Sequence, residues 1–190
     1  MTDTNKEINH EISDWVGDIV ALESHVEEAM DAQLKLKADA SLEATLKKFH
    51  DTVRDSKQRA VSFQESYGSE AGNPIKKAGS NLLGKAAGVI DKMRDDSVSK
   101  AIRDDYTAFN HTAIAYTMLH TTAMAFKDQA AQDFAEKGMR TYAGLVQDVN
   151  HVIPEAVVFD LKQGDHAPVI DPSVVQGCRA VIDSVWQETK

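Results

Sequence analysis

The feature that most constrains the fold of this chain is a helical spacing of apolar residues. Near the N-terminus, apolar side chains recur every three or four positions, with no intervening proline. This spacing places them on one side of an α-helix and predicts a long amphipathic helix over 4–38. The residues of this apolar side are Ile8, Ile12, Trp15, Ile19, Leu22, Val26 and Met30.

Similar spacing predicts further helices along the chain. Ser41 is the predicted N-cap of the second helix, and Pro154 is predicted to end or kink the fifth, because proline removes a backbone donor. The last predicted helix should dock on the rest of the fold through Val174, Cys178, Val181, Ile182 and Val185. The predicted ranges are 42–67, 74–93, 97–126, 128–153 and 173–188.

The lengths of the connections predict how these helices pack. Short turns near residues 39 and 127 make the flanking long helices antiparallel neighbours, and 74–93 links the two hairpins. Only 10 glycines and 4 prolines argue against a turn-rich β fold. We therefore predict an all-α fold, a ferritin-like four-helix bundle of two antiparallel hairpins joined by a crossover helix, plus a C-terminal helix. The predicted domains are 1–153, the bundle, and 154–190, a loop and helix packed on it.

The segment 106–126 contains no Asp, Glu, Lys or Arg. Its threonines, histidines and asparagine are too many for a membrane span. A helix that is uncharged all round is expected to be covered on several sides. The bundle core can cover one side, and the C-terminal residues or a second subunit must cover the other. We therefore expect a homodimer.

Charge narrows the classes of partner. The net charge is −9, and residues 1–38 carry nine acids against three lysines. No basic stripe exists, which excludes nucleic acids and anionic membranes as expected partners. An acidic first helix could instead bind a basic protein partner. The single cysteine excludes a disulfide framework, and the polar N-terminus lacks a signal region, so a cytoplasmic location is expected.

The chemistry that such a bundle suggests is a metal site between facing helices. Carboxylates and imidazoles from the middle of each helix would suit iron or manganese. Glu23 lies near the apolar side of the first helix, Asp55 lies at the matching level of the second, and His111 lies midway along the fourth. These three are the candidate metal ligands. The facing level of the fifth helix, near Tyr142, offers neither a carboxylate nor a histidine.

Each candidate also has a purely structural interpretation. Glu23 could be a solvated or core-edge acid, and His111 a hydrogen-bonded core histidine. Two weaker groupings are Asp148 with His151, at i and i+3, and His50 with its neighbouring aspartates. We assign no catalytic residue. We expect no bound cofactor, and the alternative is bound iron or manganese. Whether the protein is an enzyme stays open at this point.

Several short strings resemble the small bacterial ferritin-like proteins of the YciE/YciF type, which are linked to stress responses. The similar strings are LLGKAAGVI at 82–90, Phe109-Asn110-His111, and Ile114-Ala115-Tyr116. The resemblance spans roughly 8–150. It implies a ferritin-like fold with a glutamate ligand in the first helix, matched by Glu23, and acids in the second, matched loosely by Asp55.

The sequence departs from that family pattern in the second hairpin. Where the family has a Glu-His pair, this chain has Asn110 and His111, and a Glu-rich stretch is replaced by a segment containing Arg140. The first hypothesis is therefore a stress-associated bundle with a degenerate metal site and a binding or structural role. The alternatives are a di-iron or di-manganese oxidoreductase or iron-handling protein, and an acidic adaptor for a basic protein. In the first case, Arg140 is predicted to pair with Glu23 or Asp55 across the core.

Overall fold

The computed structural model describes residues 3–67, 97–164 and 167–188, and this part of the chain contains helices and no strand. The predicted all-α bundle with a C-terminal helix is thereby confirmed. The predicted crossover helix, 74–93, lies outside the described residues. The helices are α1 (Asp3–Gln33), α2 (Ala40–Ser66), α3 (Val98–Phe126), α4 (Gln129–Gln163) and α5 (Val174–Glu188).

The four long helices form two antiparallel hairpins around one apolar core. α1 packs on α2, α3 packs on α4, and α1 also packs on α3. Fewer contacts join α2 to α4, and one of them is an ion pair between Lys48 Nζ and Asp148 Oδ2 at 2.7 Å. Phe49 of α2 meets Phe109 of α3 edge-on in the core, with ring centroids 5.5 Å apart. The apolar stripes predicted from spacing therefore converge on one interior.

The first hairpin turns earlier than the sequence predicts. α1 ends at Gln33 and not near residue 38. α2 begins at Ala40, and its N-cap is Asp39 in place of the predicted Ser41. The Asp39 carboxylate accepts hydrogen bonds from the backbone N–H groups of Ser41 and Leu42, both at 3.0 Å. A carboxylate also interacts favourably with the positive end of the helix dipole, which a serine cannot do.

Pro154 does not end the fifth predicted helix, because α4 continues through it to Gln163. Proline removes one backbone donor, but Val152, Pro154 and Ala156 are all buried at this point. Their burial offsets the lost hydrogen bond. Part of the loop predicted within 154–190 is therefore helical, up to Gln163. The predicted domain boundary between 153 and 154 falls within α4, and the division itself stays a prediction.

The extension of α4 has a structural role at the start of α3. Asp160 accepts hydrogen bonds from Ser97 Oγ at 2.7 Å, from the Ser99 backbone N–H at 2.8 Å and from that of Val98 at 3.2 Å. Burial opposes ionisation of Asp160, but these hydrogen bonds outweigh it and hold its pKa below the ordinary value. Asp160 thus caps the N-terminus of α3 from another helix.

The C-terminal helix contacts the bundle through a polar anchor. Arg179 of α5 donates to the backbone carbonyl of His151 at 2.7 Å and to the carboxylate of Glu155 at 3.0 Å, both in α4. The prediction that five residues dock on the bundle is wrong for four of them, because Val174, Cys178, Val181 and Val185 are exposed. Ile182 alone of that set is half-buried.

Among the described residues, the uncharged segment 106–126 is packed against other helices on its inner side. Its inner side lies in the bundle core, whereas Ile114, Met118 and Met124 on other sides are exposed. α5 lies on α4 and leaves this surface of α3 uncovered. Within the described ranges, no helix has the length and apolarity needed to cross a bilayer.

We predict that Asp160→Asn lowers the free energy of unfolding by about 1 kcal/mol, because both carboxylate oxygens accept hydrogen bonds and the amide nitrogen of asparagine cannot accept one. Urea unfolding followed by circular dichroism measures this loss. The matched control is Asp104→Asn, since Asp104 pairs at the surface with its neighbour Arg103 and should contribute below ~0.5 kcal/mol. Equal losses in the two variants would contradict the capping role.

Candidate functional site

The most unusual residue of the core is a carboxylic acid. Glu23, in the middle of α1, has no exposed surface. The apolar residues Ile19, Val20 and Val26 are buried on the same side of this helix. Glutamate is almost never fully buried unless its charge is removed or compensated. The bundle must therefore satisfy this group from within.

Three hydroxyl groups converge on one oxygen of Glu23. Its Oε1 accepts hydrogen bonds from Ser56 Oγ at 2.7 Å, Tyr142 Oη at 2.9 Å and Tyr116 Oη at 3.0 Å. Ser56 belongs to α2, Tyr116 to α3 and Tyr142 to α4, so the cluster joins all four long helices. We call these four residues the Glu23 cluster.

Burial controls the protonation of the Glu23 cluster. Desolvation raises the pKa of Glu23 to about 7, although the three hydroxyl donors and the Arg59 guanidinium act in the opposite direction. The other oxygen, Oε2, is buried and has no hydrogen-bond partner among the described residues. Burial also raises the pKa of both tyrosines, with the Glu23 charge adding to the effect. The phenols therefore stay protonated and act as donors.

The tyrosine rings are held by close packing. Tyr116 stacks on Tyr142 with centroids 5.9 Å apart, and it lies 5.7 Å from Phe134. Its ring fits directly against Gly138 of α4, where an added Cβ would overlap the ring atoms. Gly138 is therefore required for the position from which Tyr116 reaches Glu23.

A second buried carboxyl lies elsewhere in the core. Asp105 of α3 accepts a hydrogen bond from Gln33 Nε2 of α1 at 2.7 Å, and both residues are buried. Burial raises the pKa of Asp105 to about 7, against the hydrogen bond from Gln33. The α1–α3 contact is thus made partly by groups that are neutral at mildly acidic pH.

The structure does not bring the three predicted metal ligands together. Glu23 is in the core, as predicted from its position. Asp55 is exposed beside Arg54, with an Nε–Oδ1 distance of 3.8 Å, and His111 is exposed on α3. Across the described ranges, no three His, Cys, Asp or Glu residues are grouped to hold a metal ion. This geometry does not support a shared site, and metal binding by each residue remains untested.

Other predicted groups make local or inter-helix ion pairs. The prediction that Arg140 crosses the core is wrong, because its guanidinium contacts Glu136 one turn earlier on α4. Asp148 pairs with Lys48 of α2, and His151 lies 3.4 Å from Asp183 of α5. His50 is buried, and its Nε2 lies 2.9 Å from Asp31 of α1.

Sequence reasoning missed Ser56, Tyr116 and Tyr142 as partners of Glu23. Ser56 lies between Val53 and Ala60 on the apolar side of α2, at steps of three and four, which is a readable signal. Tyr142 is at the level predicted to face the candidate site. Tyr116 follows Thr112 and precedes Leu119 on the buried side of α3. Searching only for acids and histidines passed over these hydroxyls.

Chemically, the Glu23 cluster is one titratable carboxyl that accepts hydrogen bonds from three hydroxyl groups. The three hydroxyls satisfy Oε1 of Glu23, whereas Oε2 has no hydrogen-bond partner among the described residues, and protonation of the carboxyl below about pH 7 removes the buried charge without a counter-ion. Hydroxyls that donate to a carboxylate also lower its charge density. The arrangement therefore ties four helices together without supplying the negative ligand set that a divalent ion requires.

We predict that Gly138→Ala destabilises the protein by about 1–3 kcal/mol, because the added methyl group overlaps the Tyr116 ring. The matched control is Gly144→Ala, six residues later in the same helix, where nothing lies within 4 Å of the added Cβ. That variant should be stabilised by about 0.5–1 kcal/mol, since alanine favours helix. Thermal unfolding of both variants measures the difference, and losses of the same size would contradict the packing argument.

We also predict a stability that falls with rising pH. The pKa of Glu23 is raised on folding, so its contribution is complete below about pH 4.5 and is lost as the pH rises through about 7. The expected loss is at most about 3 kcal/mol. Glu23→Gln resembles the protonated acid and should remove the Glu23 part of this dependence, while the part that comes from Asp105 remains.

Urea unfolding between pH 4.5 and 8.5 tests this expectation for the wild type and Glu23→Gln. Asp105→Asn is the parallel control, since it removes the other buried carboxyl and should leave the Glu23 contribution in place. A pH profile unchanged by Glu23→Gln would show that Glu23 does not carry its proton into the folded core.

Comparison with known proteins identifies a family and leaves the function open. No curated protein matches this chain, and no solved structure matches it. A family model described as a domain of unknown function, DUF892, matches residues 9–157. The match includes α2, α3 and most of α1 and α4, and with them every residue of the Glu23 cluster. Since it covers more than half of the sequence, the chain belongs to the DUF892 family.

Proposed function

We propose that this protein is a ferritin-like helical bundle with a binding or structural role, and that it does not operate a di-iron or di-manganese centre. The observation that carries the proposal is the hydrogen bonding of Glu23 Oε1 by Ser56, Tyr116 and Tyr142. In a metal-binding bundle, this level of the core would present carboxylates and histidines from several helices.

The donor set at this level does not fit such a metal centre. Two divalent ions need about six ligands whose negative charge offsets their own. Here α2 contributes a serine, and α3 and α4 each contribute a tyrosine. Burial raises the pKa of both phenols, which keeps them neutral and makes them poor ligands for iron(II) or manganese(II). Asp55 and His111, the other candidates, point to the surface.

The Glu23 cluster is better explained by a structural role, which is to hold the four long helices together. Its hydrogen bonds connect α1 to each of the other three long helices. If one helix were misplaced, the buried carboxyl would lose a hydrogen-bond donor, at a cost of several kcal/mol. Any surface that binds a partner would then lie on the outside of the bundle. In keeping with the YciE/YciF resemblance, we infer a cytoplasmic, stress-associated setting for this role.

Metal loading tests the proposal directly. Protein purified without chelator is incubated anaerobically with excess Fe(II) or Mn(II), freed of loose ions by gel filtration, and assayed by elemental analysis. We expect less than one retained ion per chain, with the same value in Glu23→Gln. Two retained ions per chain in the wild type, lost in Glu23→Gln, would overturn the proposal in favour of the oxidoreductase hypothesis.

Exposure of the iron-loaded sample to air gives a second readout. Ferric iron bound by a tyrosine phenolate absorbs visible light, so a coloured wild-type protein would show that Tyr116 or Tyr142 is a ligand. The matched controls are Tyr116→Phe and Tyr142→Phe, which keep the ring packing and remove one hydroxyl each. We expect colourless protein in all three samples.

A further inference from the structure

Two buried oxygen atoms lack hydrogen-bond partners at the end of the bundle where α1 stops. Gln33, the last residue of α1, and Asp105 of α3 are each 3% exposed. Gln33 Nε2 donates to Asp105 Oδ1 at 2.7 Å. The second oxygen of each group, Gln33 Oε1 or Asp105 Oδ2, is buried without a partner among the described residues. Both atoms are acceptors while the carboxyl is ionised, so neither can then satisfy the other.

A single proton on Asp105 satisfies both of these oxygens. A protonated carboxyl carries one O–H donor, and the oxygen of a side-chain amide is an acceptor. A carboxyl and a primary amide are both planar, and each has two polar atoms on one carbon. Side by side, they can therefore close a ring of two hydrogen bonds. The first bond of this ring is the one from Gln33 Nε2, and the second runs from Asp105 Oδ2 to Gln33 Oε1. We call these two residues the acid–amide pair.

The described surroundings of Asp105 give it no counter-ion. The charge that acts on it is the Asp104 carboxylate of its own helix, which raises the pKa of Asp105 in addition to burial. Arg103 is bound to Asp104, and Asp31 of α1 is bound to His50 of α2. The remaining charged groups near this end of α1 and along the facing part of α4 are exposed or paired elsewhere. They are the exposed Lys35 and Lys37, Asp148 with Lys48, His151 with Asp183, Glu155 with Arg179, and Asp160 at the start of α3.

The acid–amide pair is placed to control how firmly α1 ends. Gln33 is followed at once by the turn that leads to Asp39, the cap of α2, and the next side chain, Leu34, is 42% exposed. Ionised Asp105 would place a carboxylate oxygen and an amide oxygen in the core without a donor for either, which is costly. Moving the end of α1 away from α3 lets water reach both groups.

We propose that Asp105 Oδ2 donates a proton to Gln33 Oε1 and thereby holds the C-terminal end of α1 on α3, and that loss of this proton to solvent releases this end of α1 together with the turn 34–39. The acid–amide pair is thus a pH-sensitive contact at one end of the bundle. This inference goes beyond the proposed function, and it holds whether or not the core binds metal.

The first experiment measures backbone hydrogen exchange over 30–33 by NMR, in the wild type and in Asp105→Asn. The asparagine amide can make both hydrogen bonds of the ring and does not titrate. Dividing the wild-type rate by the variant rate at each pH removes the ordinary pH dependence of exchange. Since folding raises the pKa of Asp105 from 3.8 to about 7, its contribution is complete below about pH 4 and is lost as the pH rises to about 7. The ratio should rise at least about tenfold between pH 5 and pH 7 and then level off.

The control for this experiment is Asp31→Asn, which removes the other titratable contact of this end of α1, the one with His50. The same comparison in that background should give the same rise. Circular dichroism of each variant checks that the helices are retained.

The second experiment is a carbon-13 NMR titration, which needs no variant that alters the pair. The side-chain carboxyl of Asp105 should titrate with a midpoint near pH 7. The side-chain carbonyl carbon of Gln33 should shift with the same midpoint, because its oxygen loses a hydrogen bond when Asp105 ionises.

Three results would overturn the proposal. An Asp105 midpoint below about pH 5 would show an ionised carboxyl, with a bound water as the donor to both oxygens. A Gln33 carbonyl signal that does not follow the Asp105 titration would exclude the second hydrogen bond. A rise in the exchange ratio that disappears with Asp31→Asn would assign the pH dependence to His50.

Discussion

The burial of the Glu23 carboxyl is the constraint on which the centre of this bundle depends. A fully buried acid must find hydrogen bonds inside the protein or lose its charge; here three hydroxyls donate to Glu23, and burial raises its pKa to about 7. Each of the other three long helices supplies one hydroxyl to the same oxygen. The position of each helix is thus coupled to the positions of the others through a single atom, and Gly138 is fixed by the space that the Tyr116 ring needs.

The helices and the position of Glu23 could be predicted from sequence because both follow from spacing alone. The partners of Glu23 were harder to predict. Residues at adjacent positions of a helix point about 100° apart, so the choice of Asp55 over Ser56 moved the prediction from the core to the surface. In the segment 106–126 of α3, which has no charged residue, the contrast between polar and apolar sides is weak, and the core side predicted for His111 is wrong because the residue is exposed.

Helix ends were predicted less well than helix centres, because tertiary contacts decide several of them. The N-terminus of α3 is capped by Asp160, more than 60 positions away along the chain. Pro154 is a local signal for a helix end, yet the burial of its neighbours carries α4 onward to Gln163. Neither outcome can be predicted from the residues next to the helix end. The apolar spacing of α5 likewise predicts that the helix docks through its valines. These valines are exposed, and Arg179 makes polar contacts with α4.

The absence of charge from α3 between Tyr106 and Phe126 has two separate physical origins on its two sides. On the inner side, a further charged residue near Tyr116 would shift the pKa of Glu23, which burial raises to about 7. On the outer side, the threonines return their hydroxyls to the backbone of their own helix, which leaves a surface that is polar in composition and apolar in behaviour. One uncharged segment thus packs beside a buried carboxyl on its inner side and presents threonines whose hydroxyls are bonded within the helix on its outer side.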